Sequence, residues 1–273
     1  MPAVPTVTLN NGTSIPRLGL GVYQAHRGKE TEAAVCEALR IGYRHIDTAR
    51  AYGNEQDVGA GLRASGVPRN QVFITTKLWN DDQGYDSALA AFDASLKRLG
   101  LEYLDLYLLH WPVPEKRRDS WRALERLHLE KRARAIGLSN FMVRHLQELK
   151  HYWNVMPAVN QIEMSPFLQQ RDVRAHCKRL GITIEAYSPL AKGEKLADPV
   201  VVDVARRVGK SPAQVLIRWG LQHEPIVLAK SVHAERIAEN LEVFGFELGA
   251  EEMSRLDGLE EGLVTGWDPR DAP

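Results

Sequence analysis

Cysteine is scarce in this chain of 273 residues, and its placement excludes two kinds of architecture. Cys36 and Cys177 are the only two, and each lies inside a helical pattern with no CxxC spacing and no histidine cluster beside it. A disulfide framework and a zinc site therefore have no support. No apolar run approaches the ~18 residues that span a bilayer, and no secretory apolar segment follows Met1. We expect a cytoplasmic protein with no metal and no membrane partner.

A surplus of charge of either sign is also missing. Lysine and arginine together number 35, as do aspartate and glutamate, and the pI is about 7.1. Nucleic-acid-binding proteins carry a basic footprint, so we expect no nucleic-acid partner. Hydrophobic residues make up 44% and charged residues 26%, which is the composition of a globular chain with one large core.

Strand-like segments alternate with amphipathic helical segments along the chain. The predicted strands are Leu18–Tyr23, Tyr43–Asp47, Val72–Lys77, Leu104–His110, Ala133–Asn140, Ala158–Gln161, Ile182–Tyr187 and Ile226–Lys230. A helical pattern follows each strand. Eight strand-helix units is the number that closes a parallel barrel, so the pattern predicts an α/β fold, a single (β/α)8 TIM barrel domain over residues 1–273.

Two short segments lie outside this alternation. Val7–Asn10 and Ser14–Arg17 flank Asn11-Gly12, which predicts a β-hairpin with a two-residue turn that plugs one end of the barrel. A last helix near Ala250–Leu256 precedes a short C-terminal tail.

Most predicted strands end on a polar or ionisable residue. In chain order these residues are Asp47, Lys77, His110, Ser139-Asn140, Asn160-Gln161, Tyr187-Ser188 and Lys230-Ser231. The carboxyl ends of parallel barrel strands meet at one rim, where such folds assemble their sites. The sequence therefore predicts a functional site at this rim.

Four of the rim residues suit acid catalysis by a phenol. Tyr52 follows Asp47 by five residues, and the ammonium of Lys77 would favour the phenolate and lower the tyrosine pKa. Asp47 would hold Lys77 charged and oriented, and His110 would donate a hydrogen bond to a substrate oxygen. Such a group would protonate an oxyanion as it forms.

Two other chemistries have less support in the sequence. Acyl transfer is disfavoured because no GxSxG motif occurs. A metal hydrolase could use His45, Asp47, His110 and a strand-end lysine, but the first strand ends in Gly21-Val22-Tyr23 without a His-x-His pair.

The last strand end carries the residues of a phosphate site. Lys230 and Ser231 precede a helix start, with His233 and Arg236 close by, which would surround an anion with cations, a hydroxyl and helix-terminal amides. Barrels commonly bind phosphate at this place. Gly19-Leu20-Gly21 lacks the third glycine of a doubly wound dinucleotide fold.

Several of these segments resemble the aldo-keto reductase family. The stretches in question are GYRHIDTARAYGNE, FITTKLW, DLYLLHWP, RAIGLSNF, EAYSPL and LAKSVHAERIAENL, in the family's order. The short tail is similar to that of bacterial 2,5-diketo-D-gluconate reductase-like members and implies an open pocket. The resemblance implies NADPH-dependent reduction of an aldehyde or ketone by a monomer.

The resemblance also implies roles for individual residues. The catalytic group would be Asp47, Tyr52, Lys77 and His110. The cofactor-binding residues would be Gly21 and Val22 at the nicotinamide ribose; Ser139, Asn140 and Gln161 at the carboxamide; Tyr187 on the nicotinamide ring; Ser188 and Leu190 at the pyrophosphate; Lys230, Ser231, Val232, His233 and Arg236 at the 2′-phosphate; and Glu239 and Asn240 at the adenine. Tyr23, Trp79 and Trp111 would contact the substrate.

Two departures from the family pattern bear on the cofactor. Leu228-Ala229-Lys230-Ser231 stands where the family usually has Ile-Pro-Lys-Ser, and His233 stands where it often has arginine. A neutral histidine holds a doubly charged phosphate less firmly, so we expect NADPH to be preferred while NADH remains a weaker cofactor.

The substrate is expected to be a small carbonyl compound, an α-keto aldehyde, or a keto or diketo sugar acid. The alternative is a regulatory protein on the same barrel that senses NADPH without turning it over. The four intact catalytic positions favour the enzyme.

Overall fold

Eight parallel strands close a barrel, which confirms the predicted (β/α)8 fold. The computed structural model describes residues 4–224 and 226–272. A two-stranded hairpin comes first, β1 (Thr6–Thr8) and β2 (Ser14–Pro16). The barrel strands are β3 (Leu18–Gly21), β4 (His45–Asp47), β5 (Phe73–Leu78), β6 (Leu104–Leu109), β7 (Ala133–Ser139), β8 (Val159–Glu163), β9 (Thr183–Tyr187) and β10 (Ile226–Lys230). They pair in chain order, and β10 closes the ring between β9 and β3.

The helices surround the barrel, and two of them begin where the sequence supplies helix start signals. They are α1 (Lys29–Ile41), α2 (Glu55–Ser65), α3 (Tyr85–Leu99), α4 (Arg117–Leu129), α5 (Val143–Leu149), α6 (Arg171–Leu180), α7 (Pro199–Val208), α8 (Pro212–His223), α9 (Ala234–Leu241) and α10 (Ala250–Asp257). Asp198 caps α7 by accepting from the Val200 and Val201 amides. Ser211 and Gln214 form a capping box at α8. Proline at the first position of both helices costs no hydrogen bond.

Apolar side chains fill the amino-terminal end of the barrel and leave the polar ones at the opposite end. Leu9 and Ile15 of the hairpin pack against Phe73, Leu106 and Val159. Successive side chains of a strand point to opposite faces, so Thr75 and Lys77 follow Phe73 toward the barrel axis. The hairpin therefore plugs the barrel end remote from the rim of strand carboxyl ends, as predicted.

The predicted two-residue hairpin turn is wrong. Thr8 pairs with Ser14, and the loop between them runs from residue 9 to residue 13. The tight turn lies one residue earlier than predicted: the Gly12 amide donates to the Leu9 carbonyl at 2.9 Å, with Asn10 and Asn11 at the corner and Gly12 at φ 82°. The asparagine side chains also join the turn to the barrel, because Asn10 donates to the Pro157 and Gly181 carbonyls and Asn11 donates to the Arg134 carbonyl.

Strand ends also differ from the prediction at β8, which extends to Glu163 instead of stopping at Gln161. The pairing of β8 with β9 runs from Val159 opposite Thr183 to Glu163 opposite Tyr187. This extension brings one more carboxylate to the rim. In the part of the chain that the structure describes, no helix is long and apolar enough to cross a bilayer.

Candidate active site

The centre of the rim is an ion pair between β5 and β4. The Nζ of Lys77 lies 2.7 Å from Oδ1 of Asp47 and 2.8 Å from Oδ2, and both side chains are buried. The same ammonium donates to the Thr48 carbonyl at 2.9 Å. Burial of a lysine is tolerable only because each of its three N–H groups finds an acceptor.

Tyr52 is placed beside this ion pair by a short 3₁₀ turn after β4, Arg50–Tyr52. Its hydroxyl lies 3.4 Å from the Nζ of Lys77. Asn54 fixes the turn, since its side chain accepts from the Thr48 hydroxyl and donates to the Val22 carbonyl. The ring of His110 contacts the Tyr52 ring edge-on, with centroids 5.7 Å apart. The four predicted catalytic residues therefore lie together.

The expected lowering of the Tyr52 pKa is wrong for the protein without ligand. Burial is the largest cause that raises the pKa of Tyr52 well above 10.0, and the negative charge of Asp47 raises it further. Burial and the charge of Lys77 hold the pKa of His110 well below 6.5. At neutral pH the phenol is therefore protonated and the imidazole is neutral, and both can donate a hydrogen bond.

A second buried carboxyl group, which the sequence reading missed, lies beneath Asp47. Glu185 of β9 and Asp47 both accept from the Nε2 of Gln161, at 2.7 and 2.9 Å. Burial, followed by the charge of Asp47, raises the pKa of Glu185 to about 8. Burial lowers the pKa of His45, whose Nε2 lies 3.5 Å from Glu185 Oε1, to about 3. Glu185 sits inside its strand rather than at the end, so strand ends alone could not reveal it.

A single large cavity joins the catalytic group to the predicted phosphate site. Its volume is about 1300 Å³, at or above the upper end of the ~300–1,000 Å³ range of ligand pockets. Two of the predicted residues are absent from its wall: Lys77 lies behind it, and Val22 is buried with its carbonyl bonded to Asn54. The other predicted residues that line it are Gly21, Tyr23, Asp47, Tyr52, Trp79, His110, Trp111, Ser139, Asn140, Gln161, Tyr187, Ser188, Leu190, Lys230, Ser231, Val232, His233, Arg236, Glu239 and Asn240.

Asn140 links three strand ends on the cavity wall. It adopts a left-handed backbone conformation with φ 64°, which asparagine tolerates better than most residues. Its side chain donates to the His110 carbonyl at 3.0 Å and accepts from the Tyr187 hydroxyl at 2.8 Å. The network fixes the Tyr187 ring beside the catalytic group.

The carboxyl end of β10 presents cations to the other end of the cavity. Lys230, His233 and Arg236 are exposed, and Arg236 lies in the first turn of α9. The Ser231 hydroxyl accepts from the His233 amide at 3.1 Å. This donor set suits a phosphate, and the amides of Asn140 and Gln161 at the opposite end suit a carboxamide. The cavity residues therefore fit a phosphorylated nicotinamide dinucleotide.

Aromatic rings surround the cavity mouth above Tyr52. Tyr23 lies 5.0 Å from Tyr52 between ring centroids, and Trp79 lies 5.4 Å from His110. Trp267, which the sequence reading missed, comes from the tail and lies 5.7 Å from Trp111. The short tail therefore partly roofs the pocket that we expected to be open. The signal that the sequence offers for Trp267 is a lone aromatic residue in a tail segment that also contains Gly266 and Pro269.

A metal site is not visible at the rim. Within residues 4–224 and 226–272, no group of three or more histidine, cysteine, aspartate or glutamate side chains is arranged to hold a metal ion. The basic partner of Asp47 is the ammonium of Lys77, so this carboxylate already has its counter-charge.

Comparisons with known proteins agree with this geometry. The model of the aldo/keto reductase family matches residues 17–261. An aldo-keto reductase of Mycolicibacterium smegmatis is 53% identical over 268 residues, covering 97% of each chain. A glyoxal reductase of Bacillus subtilis is 48% identical over 264 residues, covering 97% of this chain and 96% of its own. The crystal structure of a Gox0644 mutant in complex with NADPH matches with a TM-score of 0.94 and 42% identity, covering 100% of both chains.

Proposed function

The chain belongs to the aldo/keto reductase family, and from that premise we propose that it reduces an aldehyde or ketone to the alcohol with Tyr52 as the proton donor. It is an NADPH-dependent oxidoreductase. The observation that carries the proposal is the Tyr52 hydroxyl, 3.4 Å from a buried ammonium and beside a neutral histidine at the cavity wall. A neutral phenol in this position has a proton to give.

Each residue of the catalytic group has a separate task. The carbonyl oxygen of the substrate would accept hydrogen bonds from Tyr52 and His110, which polarises the carbonyl. As negative charge develops on that oxygen, the phenol proton moves to it, and Lys77 stabilises the phenolate left behind. Asp47 keeps Lys77 charged and fixed. NADPH, when bound, supplies the hydride for the carbonyl carbon.

Different residues of the cavity wall would bind the nicotinamide end and the phosphate end of the cofactor. Both amide hydrogens of Gln161 are bound to carboxyl groups, so its Oε1 is the atom left to accept from a nicotinamide carboxamide. Tyr187 would stack on the ring, and Ser188 and Leu190 would lie along the pyrophosphate. Lys230, Ser231, Val232, His233 and Arg236 would surround the 2′-phosphate.

Small α-keto aldehydes are the first substrates to try. The similarity to a glyoxal reductase supports this class, and a small carbonyl compound would reach Tyr52 past Tyr23, Trp79 and Trp111, which line the same cavity. A keto sugar acid is the second class to try, because Arg50 and Lys192 line the same cavity and would offer its carboxylate a counter-charge.

The test is a substrate screen with both nicotinamide cofactors. We expect methylglyoxal and aromatic aldehydes to be reduced, seen as a loss of NADPH absorbance over time. We also expect KM to be lower for NADPH than for NADH. Binding of NADPH without turnover on any carbonyl would overturn the enzyme assignment in favour of a sensor.

A further inference from the structure

Glu163 is a buried carboxylate at the rim that the catalytic group does not use. It ends β8, is 3% exposed, and lines the main cavity. Its Oε1 accepts from the Thr265 amide at 3.0 Å and also from the Thr265 hydroxyl. Its Oε2 has no hydrogen-bond partner among the described residues. Burying a carboxylate that receives hydrogen bonds from only one residue costs folding free energy. Its contact with the tail therefore points to a function in the segment that Thr265 belongs to.

The tail crosses the cavity mouth between two fixed points. On one side the Leu263 amide donates to the Phe167 carbonyl at 3.0 Å. On the other, Arg144 donates to the Arg270 carbonyl at 2.9 Å. We call the residues between these points, 264–269, the tail arch. Thr265 is the residue of the arch that bonds to the barrel rim.

A loop cation holds the same residue from the opposite side. Lys192, in the segment after β9, donates to the Thr265 carbonyl. All three polar groups of Thr265 are therefore occupied, two by Glu163 and one by Lys192. Because Glu163 belongs to a barrel strand and Lys192 to an exposed loop, Glu163 is the rigid side of this attachment.

Trp267 lies two residues beyond this attachment and faces the other mouth tryptophans. Its ring centroid is 5.7 Å from Trp111 and 6.3 Å from Trp79, yet the residue is 67% exposed. Covering an indole that is this exposed with a flat apolar group is favourable, because it removes apolar surface from water. Trp79 also contacts His110, which places the three indoles directly outward of the proton donors.

We propose that Glu163 is a positioning residue that fixes the tail arch through Thr265, so that Trp267 completes an aromatic subsite with Trp79 and Trp111 that selects flat, apolar carbonyl compounds. The proposal rests on the reductase function proposed above. A fused-ring aldehyde that reacts at Tyr52 extends farther toward the tail arch than a three-carbon ketoaldehyde does, so we expect only the larger compound to contact Trp267. Glu163 thus acts on KM for large flat substrates and not on the chemical step.

Two measurements on the full chain test this role. Amide hydrogen exchange of the unliganded protein reports the arch without turnover, and steady-state kinetics with NADPH compare 2-naphthaldehyde with methylglyoxal. In Glu163→Ala we expect faster exchange in the peptide that contains Thr265. We expect KM for 2-naphthaldehyde to rise about tenfold and KM for methylglyoxal to change less than about twofold, as lost indole contacts require.

Three matched variants make the result specific. Glu163→Gln keeps the Oε1 acceptor and should restore slow exchange and the native KM. Trp267→Ala should raise the naphthaldehyde KM as Glu163→Ala does, and the double variant should be no worse than either alone, because both act through one contact. If Glu163→Ala does not fold, Thr265→Val removes the hydroxyl bond alone and tests the same contact in the same direction.

Several outcomes would overturn the proposal. Equal KM changes for both aldehydes, unchanged exchange at Thr265 in Glu163→Ala, or additive effects in the double variant would each show that Glu163 does not act through Trp267. Absence of NADPH consumption by the native protein on either aldehyde is a different result, since it removes the reductase function itself. Even without turnover, unchanged amide exchange in Glu163→Ala would show that Glu163 does not anchor the tail arch.

Discussion

The ammonium of Lys77 touches both carboxylate oxygens of Asp47, at 2.7 and 2.8 Å, in a place that solvent does not reach. Burial keeps the Tyr52 phenol, 3.4 Å from the same ammonium, in its protonated form. The phenol therefore holds the proton that a general acid must donate, and the ammonium lies close enough to stabilise the phenolate as it forms.

Tyr52→Phe removes the proposed proton donor and preserves the ring. We expect kcat to fall by about 10²–10⁴-fold, the usual share of general acid catalysis. The dissociation constant for NADPH, measured by quenching of protein fluorescence, should stay nearly the same because only the hydroxyl is lost. Tyr152→Phe is the matched control, since that hydroxyl lies on the outside beside Glu148. A Tyr52→Phe protein with the native rate would remove the assigned role.

Glu185→Gln should change how stability depends on pH. Burial raises the pKa of Glu185 from 4.5 to about 8, so between these values the folded protein holds a proton that the unfolded chain has released. The stability from this group is complete below pH 4.5 and is lost as the pH rises to about 8. Glutamine does not ionise, so the variant should gain stability relative to the native protein as the pH rises.

Urea unfolding of both proteins at about pH 5 and about pH 8 measures this difference. Burial, the main cause of the lowered pKa of His45, is present in both proteins. The contribution of His45 to the pH dependence of stability therefore cancels in the comparison. The same free-energy difference at both pH values would show that Glu185 ionises normally in the fold.

Arg236→Ala tests the phosphate end of the cavity. A charge-assisted hydrogen bond is worth ~1.5–3 kcal/mol, so KM for NADPH should rise by roughly 10- to 100-fold. KM for NADH should hardly move, because NADH has no 2′-phosphate. Arg122→Ala, in α4 on the outside of the barrel, controls for loss of a surface charge. Equal effects on both cofactors would place the phosphate elsewhere.

Gly59→Ala tests the packing of α2 on α3. A Cβ at Gly59 would lie 2.1 Å from the Leu99 carbonyl oxygen, which belongs to backbone and cannot turn aside. We expect a loss of about 1–3 kcal/mol in the free energy of unfolding, seen as a lower thermal midpoint. Gly245→Ala meets nothing within 4 Å and should cost much less. Equal midpoints for the two variants would mean that α2 moves to accommodate the methyl group.

Strand ends were the most informative feature of the sequence, and their limits are visible in three residues. Asp47 and Lys77 were found because each lies near the end of an apolar run. Glu185 was missed because it points inward from the middle of β9, and Glu163 because β8 continues past the polar pair at which a strand is expected to stop. A polar residue inside a strand carries no sign of which partners it meets across the barrel.

The sequence by itself determined the alternation of eight strands and helices, and with it the rim on which Asp47, Tyr52, Lys77 and His110 meet, because strand and helix periodicity are local and strands that alternate with helices pair in parallel. Only the tertiary structure decided that the pKa of Tyr52 is raised rather than lowered, that Gln161 joins two carboxyl groups, and that the tail brings Trp267 to the mouth. These relations join residues up to 188 positions apart, from Trp79 to Trp267, and depend on burial and distance, which follow from the closed barrel rather than from any segment alone.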